Sequence, residues 1–130
     1  PYIISDILDS DSLEQKVQIN NYVLTHSKDL KPSVTLHISI NGEFFEEHAQ
    51  GDGQYDAFVN ALKKIYKLKK IELPLLVDYT VRIPPGGKSD ALCETIISWL
   101  HNGKEFKTRG LDSDQTVAAI KATEKMLNTI

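Results

Sequence analysis

The sequence predicts an α+β domain made twice from one βββα unit, with antiparallel sheet covered by two helices. Three observations carry that prediction. Apolar and polar residues alternate at 34–40 and 75–83, the period of half-buried strands. Asn41-Gly42 and Asn102-Gly103 are strong hairpin signals, and each leads through a strand-like run into an amphipathic stretch. Laying the two turns over each other aligns Phe45 with Phe106, Ala57 with Ala118, Ala61 with Ala122 and Ile65 with Met126. A duplicated unit of this kind favours a pseudo-twofold axis, along which residues of both halves can meet.

The elements follow in order. Residues 1–14 open with Tyr2-Ile3-Ile4 and Ile7-Leu8 and then turn acidic, which predicts a helical turn or two and a linker. That apolar patch suits packing against an upstream domain. Val17–Leu24 is β-branched and partly alternating, hence a strand, and Ser27–Pro32 is a loop. Val34, Leu36, Ile38 and Ile40 form one face of the next strand. After Asn41-Gly42, Phe45, Glu47 and Ala49 share one face of the returning strand, and Phe44, Glu46 and His48 share the other. Tyr55, Phe58, Val59, Leu62, Ile65 and Tyr66 recur every three or four residues, an apolar helical stripe. Lys63, Lys64, Lys67, Lys69 and Lys70 lie toward that helix's end, where positive charge complements its dipole.

The second half repeats the order. Leu75–Ile83 is a long strand, Pro84–Lys88 a turn, and Ala91, Cys93, Thr95, Ile97 and Trp99 mark another strand. Lys104–Arg109 returns as a short polar strand, and Asp112 or Ser113 caps a last helix with Val117, Ile120, Met126 and Leu127 on its apolar face.

Composition excludes several classes. With 130 residues, 41% hydrophobic and 25% charged, the chain reads as one domain with its own core. A net charge of −3 argues against nucleic acid or an anionic membrane as partner. Cys93 is the single cysteine, so no internal disulfide forms, which points to a reducing compartment and a cytoplasmic protein. No apolar run approaches the ~20 residues of a membrane span, and no signal peptide is visible. The chain opens at Pro1 rather than methionine, which suggests a piece of something longer.

The chemistry-bearing stretch is Gly51-Asp52-Gly53-Gln54-Tyr55-Asp56-Ala57, a glycine turn that delivers a helix N-terminus. A weaker copy runs from Gly110 to Thr116. Helix starts carry unpaired N–H groups and partial positive charge, so two of them make an anion-binding device. For the carboxylates Asp52, Asp56, Asp112 and Asp114 at these starts, capping competes with acid–base work. Other motifs fail. Gly87-Lys88-Ser89 lacks the earlier glycine of a phosphate loop, since Arg82 stands in its place inside a strand. Gly51-Asp52-Gly53 lacks the third glycine and the crossover of a dinucleotide site. His26, His37, His48 and His101 are scattered, which argues against a metal, and Cys93 sits mid-strand without an activating partner.

Three stretches together resemble one family: Gly51–Ala57, Leu75–Gly87 (Leu-Leu-Val-Asp-Tyr-x-Val-Arg-Ile-Pro-Pro-Gly-Gly) and Asp112–Ala119. It is the C-terminal regulatory, dimerisation domain of the 2-isopropylmalate synthases and citramalate synthases. The resemblance covers 15–130 as the regulatory domain and implies that 1–14 ends the preceding linker. It implies the duplicated βββα fold, a homodimer, and an effector, leucine or isoleucine, bound at the dimer interface. The effector pocket it implies comprises Tyr55, Asp56, Leu76, Tyr79, Ile83, Cys93, Ser113 and Gln115, with Gly51 and Gly53 forming the turn. Leu76 and Ile83 have opposite parity on a regular strand, so sharing a pocket requires a bulge or an interface. Positions 93 and 113 depart from the branched apolar residue and proline familiar in the family. Catalysis, acetyl-CoA and a divalent metal belong, by the same resemblance, to a separate barrel of the same polypeptide, leaving this domain without catalytic residues or cofactor of its own. A small-molecule-binding module outside this pathway is the rival reading, and a free-standing acid–base enzyme using the four aspartates is the third.

Overall fold

The computed structural model describes residues 7–8, 16–26, 28–83 and 92–130. The predicted turn at Pro84–Lys88, the Gly-Lys-Ser stretch and the opening apolar patch at 2–4 lie outside them. The element order is β1 (Ile7–Leu8), β2 (Val17–Thr25), β3 (Ser33–Ile40), β4 (Glu43–Gln50), α1 (Gln54–Leu68), β5 (Leu75–Arg82), β6 (Cys93–His101), β7 (Lys104–Asp112) and α2 (Gln115–Thr129). Two compact units divide the chain: Gln15–Leu73, and Pro74–Ile130 together with β1. This is the α+β, twice-built βββα arrangement the sequence predicts.

In the first unit, β2, β3 and β4 form an antiparallel sheet in that order, and α1 packs on β3 and β4. Alternation decides which face α1 covers: Val34, Leu36, Ile38 and Ile40 are all at most 4% exposed. Phe58, Ala61, Leu62 and Ile65 meet them from the helix and are just as buried. Burial also holds the Tyr66 phenol neutral, pushing its pKa up to about 12. Asn41 and Gly42 both take positive φ, as a two-residue hairpin turn requires, and so do Asn102 and Gly103. Helix α1 stops where Lys70 turns left-handed: its N–H reaches Lys67 O and that of Ile71 reaches Tyr66 O.

The second unit repeats the plan. Its sheet runs β1-β7-β6-β5, and α2 packs on β7 and β6. Two differences from the sequence reading stand out. Ile7 and Leu8, expected in a helical turn, pair in parallel with Lys107 and Thr108. An edge strand offers a row of unpaired backbone groups, and here β1 takes that of β7. The last strand also extends to Asp112 rather than stopping at Arg109, because Gly110 continues it beneath α2. A Cβ on Gly110 would sit 1.9 Å from Ala118 O, so the helix rests directly on the strand backbone. A short polar relay ties the layers: Trp99 Nε1 donates to Thr108 Oγ1 at 2.9 Å, and that hydroxyl donates to Ala122 O at 2.7 Å.

The duplication reaches finer detail than the aligned residues. Register shifts between Ile19 and Asn21 in β2, opposite Ile38 and His37. It shifts again between Leu76 and Asp78 in β5, opposite Trp99 and Ser98. Those two places coincide when the Asn-Gly turns are superposed on the sequence. Each outer strand therefore carries one extra residue at the same point.

On the sheet face away from α2, Glu94 is buried and ion-paired with Arg82, its cross-strand neighbour, and with Arg109, whose Nη1 lies 3.3 Å from Oε2. The Arg82 hydrogen bond, opposed by desolvation and aided by the charges of both arginines, lowers the Glu94 pKa. A carboxylate with a lowered folded pKa contributes stability that is complete above its unfolded value and lost as pH falls through the folded one. The Glu94→Gln variant is therefore expected to lose stability relative to wild type near neutral pH and to show a flatter decline below about pH 4.5. Urea titrations at stepped pH would check it; parallel acid limbs would refute it.

Candidate functional site

The extra residue in β5 decides the geometry. It puts Leu76, paired with Trp99, on the same face as Tyr79, paired with Ile97, although their sequence parity is opposite. That resolves the parity conflict between Leu76 and the Tyr79–Ile83 series by a bulge. The face carries Val81 too, and Ile83 follows two residues on, just past the strand. Because α2 lies on β6 and β7, β5 projects beside it as a shelf: Leu76 is 44% exposed and Ile83 67%.

The start of α2 borders this shelf. The Tyr79 phenol is hydrogen-bonded with the Gln115 side chain. Thr95, wholly buried, turns its hydroxyl to the same phenol and has no closer partner. Burial raises the Tyr79 pKa, and the contacts with Gln115 and Thr95 pull the other way. On β6, the Cys93 thiol lies 4.0 Å from Ser113 O. Tyr79, Cys93, Ser113 and Gln115 are thus brought together in one unit, with Leu76 on the adjoining shelf.

Three amides at the start of α2, those of Thr116, Val117 and Ala118, are already used. Asp114, not Asp112 or Ser113, is the N-cap, and its Oδ1 accepts from Thr116 N at 2.8 Å and Val117 N at 3.1 Å. Asp112 lies behind it, accepting from Asp114 N at 2.9 Å and from Lys121 Nζ at 3.0 Å. The Asp114 amide, helped by Lys121, keeps the Asp112 carboxyl below its usual range. This helix start is therefore self-capped.

Tyr55 and Asp56 belong to the first unit. There Gly51 is irreplaceable by a larger residue: a Cβ would sit 2.4 Å from Ala57 N. Gly53 caps α1 without a side chain, and the exposed Asp56 leans back over it, with Oδ2 3.9 Å from where a Gly53 Cβ would stand. Tyr55 stacks on Phe58 at 6.1 Å, and Tyr22 meets Phe58 edge-on at 6.4 Å. By register Tyr22 is the counterpart of Tyr79, and Phe58 is the counterpart of Ala119. The first unit fills with its own ring a place where the second has only a methyl group.

Comparison with known proteins decides the family. Residues 2–130 match the family described as the LeuA allosteric (dimerisation) domain. The chain belongs to that family. Relatives of this regulatory domain include a protein of Archaeoglobus fulgidus that carries the name of an (R)-citramalate synthase, 27% identical over 90% of the chain and 23% of the relative. The 2-isopropylmalate synthase of Aquifex aeolicus is 26% identical over 88% of the chain and 21% of that enzyme. That of Bradyrhizobium diazoefficiens is 32% identical over 74% and 18% respectively. The regulatory domain therefore spans about a fifth of the length of these relatives. No helix among its described residues is long and apolar enough to cross a membrane.

Sequence reasoning missed Thr95, which reads as one more inward strand residue, and chose Asp112 or Ser113 as the cap although it named Asp114 among the capping carboxylates. The β5 bulge left no local signal of its own.

Proposed function

We propose that this regulatory domain binds a branched-chain aliphatic amino acid as feedback effector, and through it restrains an enzyme that condenses acetyl-CoA with a 2-oxo acid. Leucine and a 2-isopropylmalate synthase are the first reading. Isoleucine and a citramalate synthase are the alternative, favoured by the Archaeoglobus relative. The observation that carries the proposal is the β5 bulge, which sets Leu76 beside Tyr79 next to the polar start of α2.

The chemistry suits an amino-acid zwitterion. Leu76, Ile83 and Cys93 offer apolar surface to the branched side chain, and Tyr79 walls it. The Gln115 amide and the Tyr79 phenol donate to the carboxylate, while the Asp56 carboxylate accepts from the ammonium group. Tyr55 and Asp56, which the family resemblance implies as effector residues, would be contributed by the second subunit of a homodimer. The catalytic barrel, its metal and acetyl-CoA site would lie in the rest of a longer cytoplasmic polypeptide. Effector binding inhibits only if one arrangement of the regulatory dimer binds it better, with a coupling of about 1–3 kcal/mol.

Calorimetric titration with leucine, isoleucine, valine and pyruvate tests the reading. One branched-chain amino acid is expected to bind saturably and at least ~10-fold tighter than pyruvate, about 1.4 kcal/mol. Equal binding of all four, or of none, would defeat it, and turnover by the chain alone would point to an enzyme instead.

A further inference from the structure

Among the described residues, Thr95 Oγ1 is a buried side-chain oxygen that closes no full hydrogen bond. Thr95 stands opposite Val81 on one side and Gly110 on the other, while Tyr79 stands opposite Ile97. Alternation puts Thr95, Ile97, Tyr79 and Val81 on one face of the sheet. It is the face on which α2 rests, since Ala118 O sits over Gly110. The Thr95 hydroxyl is thus wholly buried beneath the first turns of α2, where it faces the Tyr79 phenol.

The duplicated fold supplies its own comparison. Superposing the two Asn-Gly turns sets Val34 on Thr95 and Gln54 on Gln115, and Tyr22 answers to Tyr79 by register. Val34 is as buried as Thr95. The tyrosine and the glutamine therefore occur in both units, whereas the threonine occurs only in the second. Valine and threonine have nearly the same shape, so packing alone does not call for the hydroxyl. Burying a hydroxyl without a full partner works against folding, and the second unit carries one at a place where the first does without.

We propose that Thr95 is a positioning residue of the effector site, its hydroxyl holding the Tyr79 phenol so that the phenolic O–H points out to the bound carboxylate. The inference rests on the effector reading above and adds a residue which that reading lacks. A phenol gives one proton and accepts at its oxygen. With the Gln115 amide and the Thr95 hydroxyl both directed at that oxygen, its own O–H is left for a ligand. Both contacts favour the ionised phenol, which is how they act on Tyr79 against its burial. A carboxylate that draws on the phenolic proton makes the oxygen a stronger acceptor, so the bond from Thr95 closes when the effector binds. The hydroxyl that weighs on the free domain then contributes to binding.

Thr95→Val copies into the second unit what the first already accommodates, so the fold should survive with a thermal transition at or above that of wild type. Its affinity for leucine and isoleucine, each titrated calorimetrically, should fall about 3–10-fold, as the loss of one hydrogen bond implies. Thr95→Ser keeps the hydroxyl and should bind like wild type, even where the missing methyl lowers its thermal transition. A second readout needs no effector. With tyrosines isotope-labelled at Cζ for NMR and Tyr79 assigned through Tyr79→Phe, the alkaline midpoint of Tyr79 should rise in Thr95→Val and stay put in Thr95→Ser, because only valine removes a donor to the phenolate. An unmoved Tyr79 midpoint in Thr95→Val, or wild-type affinity there, would overturn the proposal. So would a serine variant that binds as weakly as the valine one. If wild type binds neither amino acid, the effector reading fails by itself, and the Tyr79 midpoint alone decides whether Thr95 positions the phenol.

Discussion

Replacing Gly110 with alanine is expected to destabilise the domain by about 3 kcal/mol. The added Cβ would lie 1.9 Å from Ala118 O, 2.8 Å from Ala122 N and 3.0 Å from Ala118 C. All three are backbone atoms of α2, so no rotamer can yield and the helix must lift. Overpacking of this kind costs about 1–3 kcal/mol. Lifting α2 also strains the hydrogen bond from Thr108 Oγ1 to Ala122 O, worth roughly another 1 kcal/mol. Gly103, at positive φ with no atom within 4 Å of its would-be Cβ, separates the causes: alanine there reports backbone strain alone. Ala49 holds the counterpart position in the first unit, where α1 tolerates a Cβ. Chemical denaturation of the two variants would check this. A Gly110→Ala loss no larger than that of Gly103→Ala would mean that the helix is not seated on the strand.

Gly110 also illustrates what the sequence made legible. The strands, the hairpin turns and the apolar stripes are local patterns, and they were readable because period and turn chemistry act over a few residues. The duplication was readable because Ala57, Ala61 and Ile65 align with Ala118, Ala122 and Met126, and all six are buried under their helices. What the sequence hid depends on partners distant in the chain. The pairing of Ile7 and Leu8 exists only because β7 has an open edge, and two apolar residues cannot announce that. The two bulges are properties of a pair of strands rather than of either one. At the candidate site, only the family resemblance implied Tyr79, Cys93, Ser113 and Gln115 together; in the structure Tyr79 meets Gln115 and Cys93 meets Ser113. The spacing of Leu76 points away from them, and Val77, as the extra residue, reverses that. At the second helix start Asp114 supplies the cap itself, so the backbone amides of Thr116 and Val117 are taken and an anion there would rest on side chains. Three neighbouring candidates left the cap ambiguous, and only the helix's first hydrogen bonds decide it.

The bulge also makes the effector proposal open to a sharp substitution. Leu76→Asp is expected to reduce effector affinity by ~100-fold or more, roughly 3 kcal/mol, while leaving the fold nearly unchanged. Leu76 is 44% exposed, so an aspartate there can stay hydrated in the free domain. Binding an aliphatic side chain against it would strip that hydration and repel the effector's carboxylate. Thr80→Asp is the matched control: it is exposed on the same strand, but its partner Ile96 places it on the opposite face, and little change is expected. Asp56→Ala attacks the other end of the zwitterion. Asp56 is exposed and caps no helix by a side-chain bond to Gly53, so its loss should spare the fold while removing the acceptor for the ammonium group. If Leu76→Asp and Thr80→Asp bind alike, the bulged face is not where the effector lies. If Leu76→Asp alone fails and Asp56→Ala binds normally, the shelf stands and the ammonium group finds its partner elsewhere. The two substitutions thus test the greasy and the charged halves of the proposed site independently.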